Sequence, residues 1–137
     1  MTLAEHQAQL ISNYLLVEDS QERLAVLVEQ GRAVPSLEES FRIDEHLVPG
    51  CISRVWLVGG VAEEDGLFHL KIDADSPLLK GVLQLYVSLY DGFPPTQVQD
   101  VEPEVFEKLH ILSQLTPTRR NGMREVRKRI AQLAVIP

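Results

Sequence analysis

Apolar side chains recur every three or four residues near the start of the chain, the spacing of a helix with one buried face. The pattern covers Leu3 to Leu15, and a second run follows Asp19-Ser20-Gln21-Glu22, whose residue types cap helices. We expect the second helix to end at Gly31, since glycine is favoured just past a helix end and Pro35 follows. The chain therefore predicts two amphipathic helices and then an irregular stretch to His46.

The middle of the chain changes to the alternation that is typical of strands. Residues 52–58 are rich in β-forming types, and a second strand is predicted over 67–72. The polar connection Glu63-Glu64-Asp65-Gly66 is too short for a crossover helix, so the two strands should pair as an antiparallel hairpin. A third strand near 46–49 is left open. Side chains of the second strand should alternate between the core, at Phe68, Leu70 and Ile72, and the outside, at His69 and Lys71.

A strong helix start follows at Asp75-Ser76-Pro77, where a capping side chain precedes a proline in the first turn. The helix should run to about Asp91, and it is apolar nearly all round, which indicates a central, buried position. Gly81 in its interior costs roughly 1 kcal/mol relative to alanine, so a neighbouring element should pack closely there.

The remaining third of the chain is predicted to be helical. Short pieces are predicted over 96–101 and 103–110, and a last helix starts at Thr116-Pro117. The expected fold class is α+β, in which a small antiparallel sheet packs against several α-helices. The whole of 1–137 should form a single domain, because its length suits one core and its composition, with 45% hydrophobic residues, is near the globular average.

Charge is distributed unevenly along the chain. The net charge is −7, but residues 1–118 carry 7 basic and 19 acidic side chains, whereas 119–137 carry 6 basic and 1 acidic. No aromatic residues interleave with the basic ones and the acidic remainder would repel phosphates, so nucleic acid is not expected as a partner. The first residues lack the basic and apolar parts of a signal peptide, and no apolar run is long enough to span a membrane. We expect a cytoplasmic location.

Cys51 is the chain's single cysteine, and it follows the turn-forming residues Pro49-Gly50 directly before the first predicted strand. A lone cysteine is commonly a small buried hydrophobe, but a thiol at a loop end can reach a partner, so position leaves the structural and chemical interpretations balanced. An internal disulfide is excluded by the count, and any sulfur chemistry must involve a second molecule. About 3% of an unshifted thiol is thiolate at pH 7, so attack needs a cation, for which Arg54 and Arg119 are candidates.

Other chemistries have weaker support. A cysteine hydrolase needs a base beside the thiol, and the histidines are scattered and are interpreted as solvated surface positions. One cysteine does not provide a zinc or iron–sulfur site, and Gly59-Gly60 lacks the lysine of a phosphate-binding loop. No cofactor and no metal are therefore expected.

The segment Gly50-Cys51-Ile52-Ser53-Arg54-Val55-Trp56 resembles the Gly-Cys-x-Ser-x-Val-Trp signature of the SufE family of sulfur acceptor proteins. Three further segments match in order: Gly31 to Pro35 is similar to the close of the second helix, Asp75 to Gly81 to an acidic turn before a Lys-Gly helix, and Leu115 to Arg119 to a Leu-Thr-Pro-Ser-Arg box. The resemblance extends over almost the whole chain. It implies the SufE/IscU-like version of the α+β fold.

The resemblance also implies a role for each matched position. Cys51 would accept sulfane sulfur as a persulfide from a pyridoxal-phosphate-dependent cysteine desulfurase of the SufS or CsdA type, accelerate that enzyme, and pass the sulfur to an iron–sulfur scaffold or other acceptor. The protein would then be an accessory carrier, not an enzyme in its own right. Supporting or docking residues would be Gly50, Arg54, Asp75 and Arg119.

Some alternatives remain open at this level. Ile52 stands where the family commonly has glutamine; it favours an apolar pocket for the thiol, whereas Arg54 favours thiolate, so the two oppose each other in the pKa of Cys51. The competing function is an adaptor that docks an acidic partner through its basic last helix, with Cys51 only structural. Monomer and homodimer are equally compatible with the sequence.

Overall fold

Helices and one two-stranded sheet make up the structure, a computed structural model that describes residues 1–49 and 53–135. Three short 3₁₀ turns, at Glu39–Phe41, Asp44–His46 and Leu112–Gln114, connect the larger elements. In chain order the helices and strands are α1 (Leu3–Tyr14), α2 (Ser20–Ala33), β1 (Val55–Val61), β2 (Phe68–Ala74), α3 (Pro77–Tyr90), α4 (Pro95–Asp100), α5 (Val105–Lys108) and α6 (Pro117–Leu133).

The starts of α2, α3 and α6 lie where capping residues predict them, whereas the short helices α4 and α5 begin at Pro95 and Val105 instead of 96 and 103. Asp19 accepts hydrogen bonds from the amides of Gln21 and Glu22 at the start of α2. Ser76 and Thr116 cap α3 and α6 in the same way, each followed by proline at the first helical position. These starts are set by local chemistry, so the sequence predicts them well.

The predicted end of α2 at Gly31 is wrong, because the helix continues to Ala33. Gly31 is instead a packing position: a methyl group there would lie 2.6 Å from Cα of Gly81 in α3, and a methyl group on Gly81 would lie 2.6 Å from the carbonyl oxygen of Leu27. The two helices therefore cross in backbone contact. The close packing that was expected at Gly81 is confirmed, and its partner is the glycine that had been assigned to the helix end.

Strands β1 and β2 form the expected antiparallel hairpin, in a register that pairs Val55 with Ala74 and Val61 with Phe68. Both strands run further toward their carboxyl ends than predicted, and β1 continues through Gly59-Gly60 because these residues keep pairing with the partner strand. Ile52, the predicted first strand residue, lies outside the described residues. No separate third strand appears within the described residues; Leu47 makes a single antiparallel bridge to Trp56.

The core lies between the sheet and the helices. One face of β2 buries Phe68, Leu70 and Ile72, as the alternation predicted, against the buried residues of α3. His69 points away and its Nε2 lies 2.7 Å from a carboxylate oxygen of Asp65, a hydrogen bond that raises the pKa of the imidazole. The α+β class is confirmed. Across residues 1–49 and 53–135, no helix has both the length and the apolar content that crossing a membrane requires.

Candidate functional site

The candidate site surrounds the segment that carries the cysteine. Gly50, Cys51 and Ile52 lie outside the described residues, so the site is built from the chain on either side of them. The amide of Val48 donates a hydrogen bond of 2.9 Å to the carbonyl oxygen of Val55. This hydrogen bond joins the residues before and after the segment at the end of the sheet where β1 begins.

Arg54 and Asp75, two of the predicted supporting residues, are brought together there. Arg54 donates through Nε to Oδ2 of Asp75 at 2.8 Å, and the amide of Asp75 donates to the carbonyl oxygen of Arg54 at 3.0 Å. The other carboxylate oxygen of Asp75 lies 3.4 Å from Nη2 of Arg42. Asp75 therefore holds two guanidinium groups, and the charge of Arg54 is already partly neutralised.

Both arginines also lie against Trp56, which is buried in β1. The guanidinium carbons of Arg42 and Arg54 are 4.3 Å and 5.1 Å from the centre of the indole ring, within the range of cation–π attraction. The motif recognised in the sequence includes Trp56, but no role was predicted for it, and Arg42 was not predicted as a site residue. No local pattern signals Arg42, because its partners Trp56, Asp73 and Asp75 lie far along the chain.

Buried Asp73 fixes the same segment from below. Its Oδ2 accepts from the amide of Leu37 at 3.1 Å and lies 3.9 Å from Nε of Arg42, and its Oδ1 lies 3.7 Å from Nζ of Lys80. A carboxylate that is only 3% exposed needs such partners, because burying an unpaired charge is costly. Residues 37–42 are thus tied to Asp73 on the outer face of the sheet.

Arg119 stands on the other side, at the start of α6. With Ser53, the first described residue after the cysteine segment, it lines a small and mainly apolar cavity whose floor includes Val55, Leu83 and Met123. The cavity has a volume of about 20 Å³, which is enough for roughly one water molecule. No carboxylate of the described chain lies within 4.0 Å of the Arg119 guanidinium. Its charge is therefore not neutralised by an ion pair of that kind.

The rest of the basic carboxyl-terminal segment is largely used inside the protein. Arg120 donates to the carbonyl oxygens of Leu112 and Leu115, and Arg129 to that of Leu47. Arg127 pairs with Glu102 and lies over the ring of Tyr90, with its side chain only 11% exposed. Three of the basic residues that suggested an adaptor surface thus bond within the protein and hold α6 in place.

No three histidine, aspartate or glutamate side chains converge as a metal-binding group in the described ranges 1–49 and 53–135. The candidates for chemistry at this site are the thiol of Cys51, which lies outside the described residues, and the guanidinium groups of Arg54 and Arg119. A thiol beside cations can act as a sulfur nucleophile, since cations favour its thiolate form.

Comparisons with known proteins find matches over almost the whole chain. The family model described as "SufE: Fe-S metabolism associated domain" matches residues 8–134. An uncharacterised SufE-like protein of Rhizobium etli is 30% identical over 131 residues, covering 93% of this chain and 88% of that protein. The solution structure of a hypothetical protein from Thermus thermophilus superimposes with a TM-score of 0.75 at 19% identity, covering 94% and 93% of the two chains, and it supports the fold alone.

Proposed function

The chain belongs to the SufE family, whose domain is associated with iron–sulfur metabolism, and on that premise we propose that it accepts sulfur as a persulfide on Cys51. The donor is a pyridoxal-phosphate-dependent cysteine desulfurase, and the transfer stimulates that enzyme. The sulfur then passes to an iron–sulfur scaffold or another acceptor. The observation that carries the proposal is the Gly-Cys-x-Ser-x-Val-Trp segment ending at Trp56, within a family match that spans most of the chain.

The chemical step is an exchange at sulfur. The Cys51 thiolate attacks the outer sulfur of the donor's persulfide; the new S–S bond forms on Cys51 as the donor's S–S bond breaks, and the donor leaves as a thiolate. One sulfur atom moves, and no external oxidant or reductant is required. Removing that sulfur frees the donor's cysteine for another turnover, which accounts for stimulation. Carbon–sulfur cleavage stays with the donor's pyridoxal phosphate.

The two candidate cations differ in the charges around them, and we propose a different task for each. Arg54 is bound to Asp75, so its effect on a nearby thiol is weakened by the carboxylate. Arg119 has no such partner in the described chain and shares a cavity with Ser53, which is two residues, at most about 7 Å of chain, from Cys51. We assign to Arg119 the stabilisation of thiolate or persulfide charge during transfer, and to the apolar cavity the shelter of the neutral thiol.

The first prediction tests the carrier role directly. Cys51→Ser removes the only thiol, so the variant should bind a cysteine desulfurase but neither stimulate it nor gain the roughly 32 Da of one sulfur atom in intact-mass spectrometry after incubation with desulfurase and cysteine. In the wild type, dithiothreitol should remove that mass, which distinguishes a persulfide from an added oxygen pair. Full stimulation by the serine variant would refute the proposal.

A further inference from the structure

An exposed apolar pair stands out on the surface a few residues before the cysteine segment in the sequence. Phe41 and Ile43 are 40% and 39% exposed, although both residues are large and hydrophobic. They lie on either side of Arg42, where two 3₁₀ turns meet, and Arg42 joins this stretch to the sheet through Asp73 and Trp56. An exposed apolar pair in a fixed position is a common feature of contact surfaces, whereas single exposed apolar residues are not informative.

Contacts of the neighbouring Arg42 and of Phe41 hold this stretch of chain in place. Arg42 is fixed between Asp73, Asp75 and the ring of Trp56, and the carbonyl oxygen of Phe41 lies 2.7 Å from Nδ1 of His46. The Phe41 and His46 rings are 6.4 Å apart. A preorganised pair loses little conformational freedom when a partner covers it, which favours affinity.

Acidic side chains frame the pair on both sides. The side chains of Glu38, Glu39, Asp44 and Glu45 are all exposed, and in the described chain none of them has a cation within 4.0 Å. The one cation between them, Arg42, is neutralised by Asp73 and Asp75. We call the surface made of Phe41, Ile43 and these acids the acidic-apolar patch; the acids are Glu38, Glu39, Asp44 and Glu45.

We propose that the acidic-apolar patch is a docking surface for the sulfur donor, which meets it with an apolar pocket rimmed by lysine or arginine side chains. The inference rests on the proposed function. The patch leads directly into the cysteine segment, since Leu47 is bridged to Trp56 and only Val48 and Pro49 precede the undescribed residues. A donor whose persulfide reaches Cys51 must cover the surface beside it, and the patch supplies anchors and a charge for recognition.

The second prediction removes the anchors. The double variant Phe41→Ala/Ile43→Ala should raise the dissociation constant for the desulfurase about tenfold or more, since central apolar anchors dominate such interfaces. Stimulation at saturating variant concentration should remain near the wild-type level, because the chemistry of Cys51 is untouched. The matched control is Leu15→Ala/Leu16→Ala, which truncates two other exposed apolar side chains, at the α1–α2 turn, and should bind like the wild type.

The charges are tested by a second pair of variants. Glu38→Lys/Glu39→Lys should slow association with the desulfurase about tenfold at low salt, and the difference should shrink at high salt because screening shortens the range of the field. Glu63→Lys/Glu64→Lys makes the same charge change in the hairpin loop and should have little effect. Thermal melting of each variant checks that it is folded.

The two proposals fail in different ways. The docking surface is refuted if the alanine pair binds the desulfurase as tightly as the wild type does. It is also refuted if each control pair weakens binding as much as the test pair to which it is matched. Transfer of sulfur to Cys51 still stands in either case. If sedimentation of the protein alone shows that the patch holds two copies together, and the alanine pair separates them without changing desulfurase affinity, the assigned partner is wrong. Retained stimulation by Cys51→Ser refutes the carrier role instead.

Discussion

Arg119 and Asp75 differ in what surrounds their charges, and this determines what a charge reversal does. Asp75 holds Arg42 and Arg54, so Asp75→Lys places a third positive charge between two guanidinium groups and should cost about 1 kcal/mol of stability along with desulfurase affinity. Arg119 has no carboxylate partner in the described residues, so Arg119→Glu should reduce affinity and stimulation with almost no loss of stability. Urea unfolding and desulfurase titration measure the two effects.

The control for this third prediction is Arg124→Glu, an exposed residue further along α6 whose guanidinium bonds only to Asn121 in the described chain. It makes the same charge change outside the cavity. If Arg119→Glu and Arg124→Glu lower affinity equally, the effect is a general one of net charge, and the role assigned to Arg119 at the cavity is wrong.

Residues were predictable where their chemistry is local. Cys51 could be identified because a signature of neighbouring residues surrounds it, and Arg54 and Asp75 belong to matched segments. Arg42 could not, since its role depends on Trp56, Asp73 and Asp75, which meet it only after the sheet has formed. The site roles of Cys51, Gly50, Arg54, Asp75 and Arg119 all stay predictions.

At the scale of elements, the crossing of α2 and α3 depends on two glycines. Gly81→Ala should destabilise the protein by about 2 kcal/mol, because the new methyl group would lie 2.6 Å and 2.7 Å from backbone atoms of Leu27 and Val28, which do not move without shifting the helix. This loss outweighs the roughly 1 kcal/mol that alanine gains over glycine in a helix. Chemical denaturation measures the difference.

Gly60→Ala is the matched control for this fourth prediction, since a methyl group on Gly60 would have no atom within 4 Å. It should leave stability unchanged or raise it slightly, because alanine restricts the unfolded chain more than glycine does. If Gly81→Ala were as stable as Gly60→Ala, the helices would have room to separate, and close packing would not explain the interior glycine.

Helix starts that carry a capping residue and a proline were predictable, whereas the end of α2 and the extent of β1 were not. A start such as that of α3 is encoded within a few residues, by Ser76 and Pro77. The end of α2 and the extension of β1 through Gly59-Gly60 are decided by partners far along the chain, namely Gly81 and the paired residues of β2. Gly31 was interpreted as a helix terminator because its use in close packing against Gly81 leaves no local signal.

Across the whole molecule, buried polar side chains tie the amino-terminal helices to the carboxyl-terminal half. Arg23, only 2% exposed, donates to the carbonyl oxygens of Tyr14, Val17 and Leu109. Gln7 in α1 accepts from the amides of Glu104 and Val105 and donates to the carbonyl oxygen of Glu102. The α1–α2 pair is thus bonded to the α4–α5 region, and we expect the domain to unfold as one unit.

The fifth prediction follows from this connection. Arg23→Met leaves one buried carbonyl group, that of Leu109, and the half-buried ones of Tyr14 and Val17 without their donor, so it should cost about 3 kcal/mol and lower the urea midpoint by roughly 1–2 M. Trp56, the only tryptophan, reports on the sheet by fluorescence, and far-ultraviolet circular dichroism reports on the helices. Both transitions should shift together, because a two-state domain loses its sheet and helices at the same midpoint.

Arg32→Met is the control for Arg23→Met, since it makes the same change on the same helix at a side chain that is 61% exposed and pairs only with Glu29 in the described chain. Its stability should stay within about 0.5 kcal/mol of the wild type. If Arg23→Met moved the helical transition while Trp56 fluorescence kept its midpoint, α1 and α2 would be a separately unfolding layer. The sheet and the site at Trp56 would then not depend on them for stability.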